Sequence, residues 1–164
     1  KKSINHNEKI QIKLEVDTDP PSHFRVENHL VLNPVSFNVL TLHKNDLFAG
    51  KLHALLYRDW KGRVKGRDWY DLTWYIRNRI PLNLRYLEAC MHQARNLGTE
   101  ESLDRVKVVE MLQAKIQTID WESAKADVRT FIINPESLEI WSPKFFSNLI
   151  EHLLVDSGDA TLER

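Results

Sequence analysis

The feature that most constrains this chain is a change of hydrophobic period near Asp46. Before it, Ile10, Ile12, Leu14 and Val16 alternate with Gln11, Lys13, Glu15 and Asp17, the two-residue period of a half-buried strand. FRVENHLVLN and VSFNVLTL read as two further strands separated by Asn33-Pro34. After Asp46, apolar residues recur at helical spacing, with Asp46 expected to cap a first helix and Asp68 to begin a second. Leu84, Leu87, Met91 and Ala94 mark a third helix, stopped by Gly98, and residues 102–118 a fourth. Asp120 caps a fifth, whose face runs Trp121, Ala124, Val128, Ile132. Asn134-Pro135 and Ser142-Pro143 each place a cap before a proline, and the last helix runs to Val155. The expected fold is therefore α+β: a sheet portion over residues 1–45, a helical domain over 46–155, and a tail over 156–164 too poor in apolar residues to order itself. Residues 1–8 are polar and expected to fray.

The charges gather around the helix start. Leu47, Lys51, Ala54, Leu55 and Arg58 fall on one helical stripe, so two cations share a face with apolar residues. Between Arg58 and Asp68 the loop DWKGRVKGR adds Lys61, Arg63, Lys65 and Arg67, with Gly62 and Gly66 breaking the helical pattern. In the next helix Asp68, Leu72, Tyr75 and Ile76 line one face with Asp71 at its edge. Two carboxylates thus enter a first turn, where the helix dipole favours them. The bland alternative is that Asp68 is only a cap and that Lys51 and Arg58 lay their stems over apolar surface. His23, His29 and His43 lack metal-ligand spacing. The 164 residues carry a formal net charge of zero, so any nucleic-acid contact must rest on the local cluster from Arg58 to Arg67. A single cysteine, Cys90, allows no internal disulfide and suits a reducing cytoplasm. No run is long and apolar enough to span a membrane.

These words resemble the nucleotidyltransferase toxins of the AbiEii/AbiGii abortive-infection type. The resemblance rests on Leu47, Lys51, Ala54 and Arg58 at fixed spacing, a basic loop, the Arg-Asp-x-x-Asp-Leu word at Arg67, Asp68, Asp71 and Leu72, and a Lys-x-acid strand at Lys13, Leu14 and Glu15. It covers roughly residues 9–77. The resemblance implies a toxin of a type IV toxin–antitoxin system, acting in phage defence, which transfers a nucleotidyl group from a nucleoside triphosphate to an RNA acceptor such as tRNA, with Mg²⁺ as cofactor and a cognate antitoxin as partner. It implies Lys51, Arg58 and Asp68 as catalytic residues, Lys13, Lys65, Arg67 and Asp71 as substrate-binding residues, and Glu15 as a metal ligand, with Glu15, Lys51 and Asp68 expected to face a common cleft. The family's first motif, a Gly-Ser turn followed by an acidic pair, has no counterpart before Lys13. Asp17 and Asp19 run into Pro20-Pro21 without such a turn. The expectation is thus a C-terminal portion that does not transfer nucleotides by itself. The competing expectation is a non-catalytic helical module binding RNA or a protein partner.

Overall fold

A computed structural model describes residues 11–58 and 64–156. Residues 1–8, Ile10, Lys61, Gly62, Arg63 and the tail from 157 onward lie outside the described residues. The order of elements is β1 (Val26–Val31), β2 (Phe37–Leu42), α1 (Lys44–Tyr57), α2 (Gly66–Arg77), β3 (Leu82–Asn83), α3 (Leu84–Gln93), α4 (Arg105–Thr118), α5 (Trp121–Arg129), a 3-10 turn (Pro135–Leu138), α6 (Pro143–Ile150) and β4 (Val155–Asp156). The architecture is α+β, as the change of period at Asp46 predicts. β1 and β2 form an antiparallel hairpin with Val26 opposite Leu42 and Val31 opposite Phe37, closed by a turn holding a cis Asn33–Pro34 bond. β3 and β4 make a short parallel pair.

Asp120 and Ser142 cap α5 and α6 as expected: Asp120 accepts from the backbone N–H groups of Glu122 and Ser123, and Ser142 from that of Phe145. Asp46 does not cap α1. His43 does, its ring nitrogen accepting from the Asn45 N–H. The Asp46 carboxylate is instead fully buried, where it accepts from the Arg25 backbone N–H, from Arg25 Nη2 at 3.0 Å and from Asn83 Nδ2 at 2.7 Å. Arg25 Nη2 also meets Asp156 at 3.0 Å, and Asn45 Nδ2 donates to the same carboxylate. One buried anion thereby ties the segment leading into the hairpin to α1, β3 and β4, each partner answering a charge that would be costly to bury alone.

Over its described part, residues 11–17, the expected strand is not formed. Ile12, Leu14 and Val16 are 84%, 87% and 76% exposed, and residues 11–17 carry no ladder pairing. Alternation alone does not make a strand; a partner edge must take its N–H and C=O groups, and both described sheets are two-stranded pairs without this segment. Other boundaries shift by a turn. α2 begins at Gly66 rather than Asp68, and α4 at Arg105 behind the cap Asp104. α3 ends at Gln93, with Arg95 rather than Gly98 taking the left-handed position at φ 58°. α5 ends at Arg129, so Ile132 lies beyond it, and α6 ends at Ile150 before β4.

The core is built on the apolar faces of the helices. In α2, Asp68, Leu72, Tyr75 and Ile76 are buried together as their spacing predicts, beside Trp69. Trp69 meets Trp121 edge-on at 4.9 Å and Phe146 at 5.0 Å, and Trp121 stacks on Phe146 at 4.4 Å. Phe48 of α1 stacks on Tyr75 of α2 at 4.5 Å. The N-terminus of α2 presses so closely on α5 that a Cβ at Gly66 would stand 1.9 Å from the Ala124 carbonyl oxygen and 2.7 Å from Val128 Cγ2. Gly66→Ala is therefore expected to destabilise the fold by about 1–3 kcal/mol, in the manner of an overpacked core. Urea unfolding should show a lowered midpoint with an unchanged slope. A variant as stable as the parent would mean that α2 does not sit against α5 in this way.

Candidate functional site

Where α1 ends and α2 begins, a cavity of about 640 Å³ opens, within the roughly 300–1,000 Å³ usual for small-ligand sites. It is lined by Lys51 and Arg58 from α1, by Lys65 just before α2, and by Arg67, Asp68, Tyr70 and Asp71 from its first turns. The opposite wall comes from Val128 at the end of α5 and from Phe131, Ile132, Ile133, Asn134 and Ser137 beyond it.

Six of the eight residues singled out from the sequence thus converge: Lys51, Arg58, Lys65, Arg67, Asp68 and Asp71. The route differs from the one the stripe suggested. The buried face of α1 is Asn45, Asp46, Phe48, Ala49, Leu52, Leu55 and Leu56. Lys51 and Arg58 are exposed and Leu47 is 41% exposed, so the two cations occupy the outward face, and Leu55 does not share it. They line the cavity because α2 and the 131–137 segment rise over that face. Lys13 and Glu15 do not join them. Both are exposed and pair with each other on the extended segment, and neither lines the cavity.

Two of the lining cations have carboxylate neighbours. Lys51 Nζ lies 2.8 Å from Asp71 Oδ2, both partly exposed. Arg67 Nε lies 3.9 Å from Asp127 Oδ2, while its guanidinium rests over the Phe131 ring, 4.7 Å from the centroid. Asp68 is only 9% exposed. Desolvation raises its pKa above the ordinary carboxylate value. Lys65, Lys51 and Arg58 pull it back down, and Asp71 adds a smaller upward push. No side chain caps the first turn of α2, whose backbone N–H groups are the usual anion-binding end of a helix.

Asp68 and Asp71 are the carboxylates of this cavity that could help hold the expected Mg²⁺. Two carboxylates line the cavity, one of them held by Lys51, among four cations, and no group of three or more His, Cys, Asp or Glu forms anywhere among the described residues. Mg²⁺ is usually held by one or two carboxylates together with substrate phosphates, so these two would serve it only alongside a bound triphosphate. What the arrangement can do is hold an anion several charges strong, with an apolar wall beside it. That wall, Phe131 to Ile133, was not singled out from the sequence as part of a site. Its signal is three consecutive apolar residues after a helix end, of which Phe131 is 64% exposed and Ile133 fully so.

Comparison with known proteins adds one finding. A family model described as the nucleotidyl transferase AbiEii toxin of type IV toxin–antitoxin systems matches residues 2–143. No curated protein and no solved structure matches the chain. No helix among the described residues is long and apolar enough to cross a membrane.

The raised pKa of Asp68 has a direct consequence for stability. The folded state binds this proton more tightly than the unfolded chain, so stability is greatest below the ordinary aspartate value near ~3.9 and falls as pH rises through the raised one. Asp68→Asn removes the buried charge and should raise Tm at pH 7, with the advantage shrinking as the buffer is taken toward pH 4. An unchanged or lower Tm at pH 7 would show that the surrounding cations outweigh the desolvation.

Proposed function

The chain belongs to the AbiEii nucleotidyl transferase toxin family of type IV toxin–antitoxin systems, and from that premise we propose that its cavity holds the triphosphate of a nucleoside triphosphate. The observation that carries this reading is the convergence of Lys51, Arg58, Lys65 and Arg67 around an uncapped helix N-terminus. Phosphoryl and nucleotidyl transfer pass through loose transition states in which little covalent chemistry falls to the protein. Catalysis is mostly positioning and charge stabilisation by cations. Lys51 and Arg58 are placed to take phosphate oxygens from the α1 side. Lys65, Arg67 and the first N–H groups of α2 face the same space, and Phe131 with Ile132 and Ile133 supplies an apolar surface for the base. Asp71 orients Lys51 through their ion pair. Asp68, partly desolvated among cations, is the group whose proton affinity is tuned, and we assign it the role of base or of orienting carboxylate toward the acceptor.

The acceptor in this reading is an RNA end such as that of tRNA, and the partner that restrains the toxin is its cognate antitoxin. Glu15, the one metal ligand expected of this chain, lies outside the cavity. On this reading residues 1–164 hold a nucleotide without transferring it. Incubation with labelled nucleoside triphosphates, Mg²⁺ and total tRNA should leave the RNA unlabelled; robust labelling would overturn that part.

Nucleotide binding is tested separately. At a hundred times its dissociation constant, a nucleoside triphosphate should stabilise the chain by about 2.7 kcal/mol, read as a rise in Tm. Lys51→Met, which keeps the aliphatic stem and removes the charge, should weaken that binding by about tenfold or more, the worth of a charge-assisted hydrogen bond of about 1.5–3 kcal/mol. Its Tm without ligand should stay close to that of the parent, since half-exposed pairs such as Lys51–Asp71 contribute about 0–1 kcal/mol. Equal affinity in parent and variant would remove Lys51 from the site.

A further inference from the structure

The outward face of α2 carries a second pattern that the cavity does not use up. Arg67, Tyr70, Trp74 and Arg77 follow one another at i, i+3, i+7 and i+10, so they lie in a single stripe along the helix, opposite the buried face of Trp69, Leu72 and Ile76. All four are exposed, Tyr70 by 42% and Trp74 by 45%, which is unusual for aromatic side chains this large. The stripe starts inside the cationic cavity, where Arg67 and Tyr70 form part of the lining. It ends at a second cavity of about 690 Å³ whose lining includes Thr73, Arg77, Arg79 and Arg105. The Trp74 ring is held edge-on against buried Tyr75 at 5.1 Å.

We propose that this stripe is the track for the single-stranded end of the RNA acceptor, leading it into the cavity. The identity of the occupant as acceptor rests on the reading of the cavity given above; the track itself rests on the α2 face. Sequence-tolerant binding of single strands combines aromatic rings on which successive bases stack with cations that follow the backbone. Tyr70 and Trp74 are separated by four residues, about 6 Å along the helix axis, so that each ring has room to take its own base. Arg67 and Arg77 stand at the two ends, with Arg79 beyond, and no carboxylate lies on the stripe. Asp71, beside it, is held by Lys51. That charge pattern, continuous with a phosphate-binding cavity, fits a polyanion threaded along the helix better than a protein surface.

The test is fluorescence anisotropy of the full chain with a labelled, unstructured ten-nucleotide RNA, measured across a salt series. Trp74→Ala should weaken RNA binding by about tenfold, the loss expected for one stacked base. Trp74→Phe should restore most of it, and Tm and circular dichroism should match the parent for both. Because Trp74 does not line the cavity, the shift of Tm with nucleoside triphosphate should be unchanged in Trp74→Ala. Arg77→Gln should lower the slope of log affinity against log salt by about 0.7, one phosphate's share on a single strand. Unchanged RNA affinity in folded Trp74→Ala, or no RNA binding by the parent chain, would overturn the proposal. A DNA strand of the same sequence binding as tightly would overturn the assignment to RNA. Loss of self-association in Trp74→Ala, with RNA affinity intact, would mark the stripe as a protein contact and equally overturn it. If the parent chain binds RNA in this way yet shows no stabilisation by nucleoside triphosphate, the reading of the cavity fails and the track stands.

Discussion

The site depends on how closely α2 approaches α5. Gly66 lets the first turn of α2 lie against the Ala124 carbonyl, and Trp69, one turn in, is wedged between Trp121 and Phe146. These contacts fix both the depth and the rotation of α2. With that rotation set, Asp68 must point inward, Asp71 must sit beside Lys51, and Arg67 must lie over Phe131. Glycine here is a requirement of space rather than of backbone freedom, since any side chain would collide with backbone.

The same packing places charge where it strains the fold. A nearly buried carboxyl at Asp68 is held with a raised proton affinity in the company of three cations and a second carboxylate, and four cations share one cavity. Such an arrangement gives little to stability, because partly exposed ion pairs contribute little and desolvated charge costs free energy. The proposed triphosphate would bring the negative charge that these cations lack. Asp46 shows the other way to bury a carboxylate. Arg25, Asn83 and a backbone N–H satisfy it completely, and it serves to join distant parts of the chain. The two buried aspartates differ in their partners, and that difference separates a structural anion from a site.

Much of this was legible in the sequence, for reasons that differ from residue to residue. The helical period after Asp46 and the capping residues Asp120 and Ser142 act locally, so a short window contains what determines them. The burial of Asp68, Leu72, Tyr75 and Ile76 followed from spacing for the same reason. Asp46 looked like a cap because it precedes an apolar run. Its true partner Arg25 lies twenty-one residues earlier, beyond any local signal. The alternation through Ile12, Leu14 and Val16 promised a strand, but a strand exists only with a neighbour that the alternation does not specify. Lys51 and Arg58 do line one cavity, but not through the stripe read from α1, whose core face lies elsewhere. What brings them to the cavity is the tertiary position of α2 and of Phe131 to Ile133, which no periodicity in α1 records.

On the reading proposed above, three separate segments, the end of α1, the start of α2 and the stretch after α5, form one anion-holding cavity. Amide hydrogen exchange of the chain with and without a saturating non-hydrolysable nucleoside triphosphate tests it most directly, because ligand contact slows exchange only where it stabilises the closed backbone. New protection is expected together in the peptides spanning residues 51–58, 64–71 and 128–137, with the exposed segment 11–19 unchanged. Protection confined to one of those three stretches, or appearing in residues 11–19 instead, would contradict it.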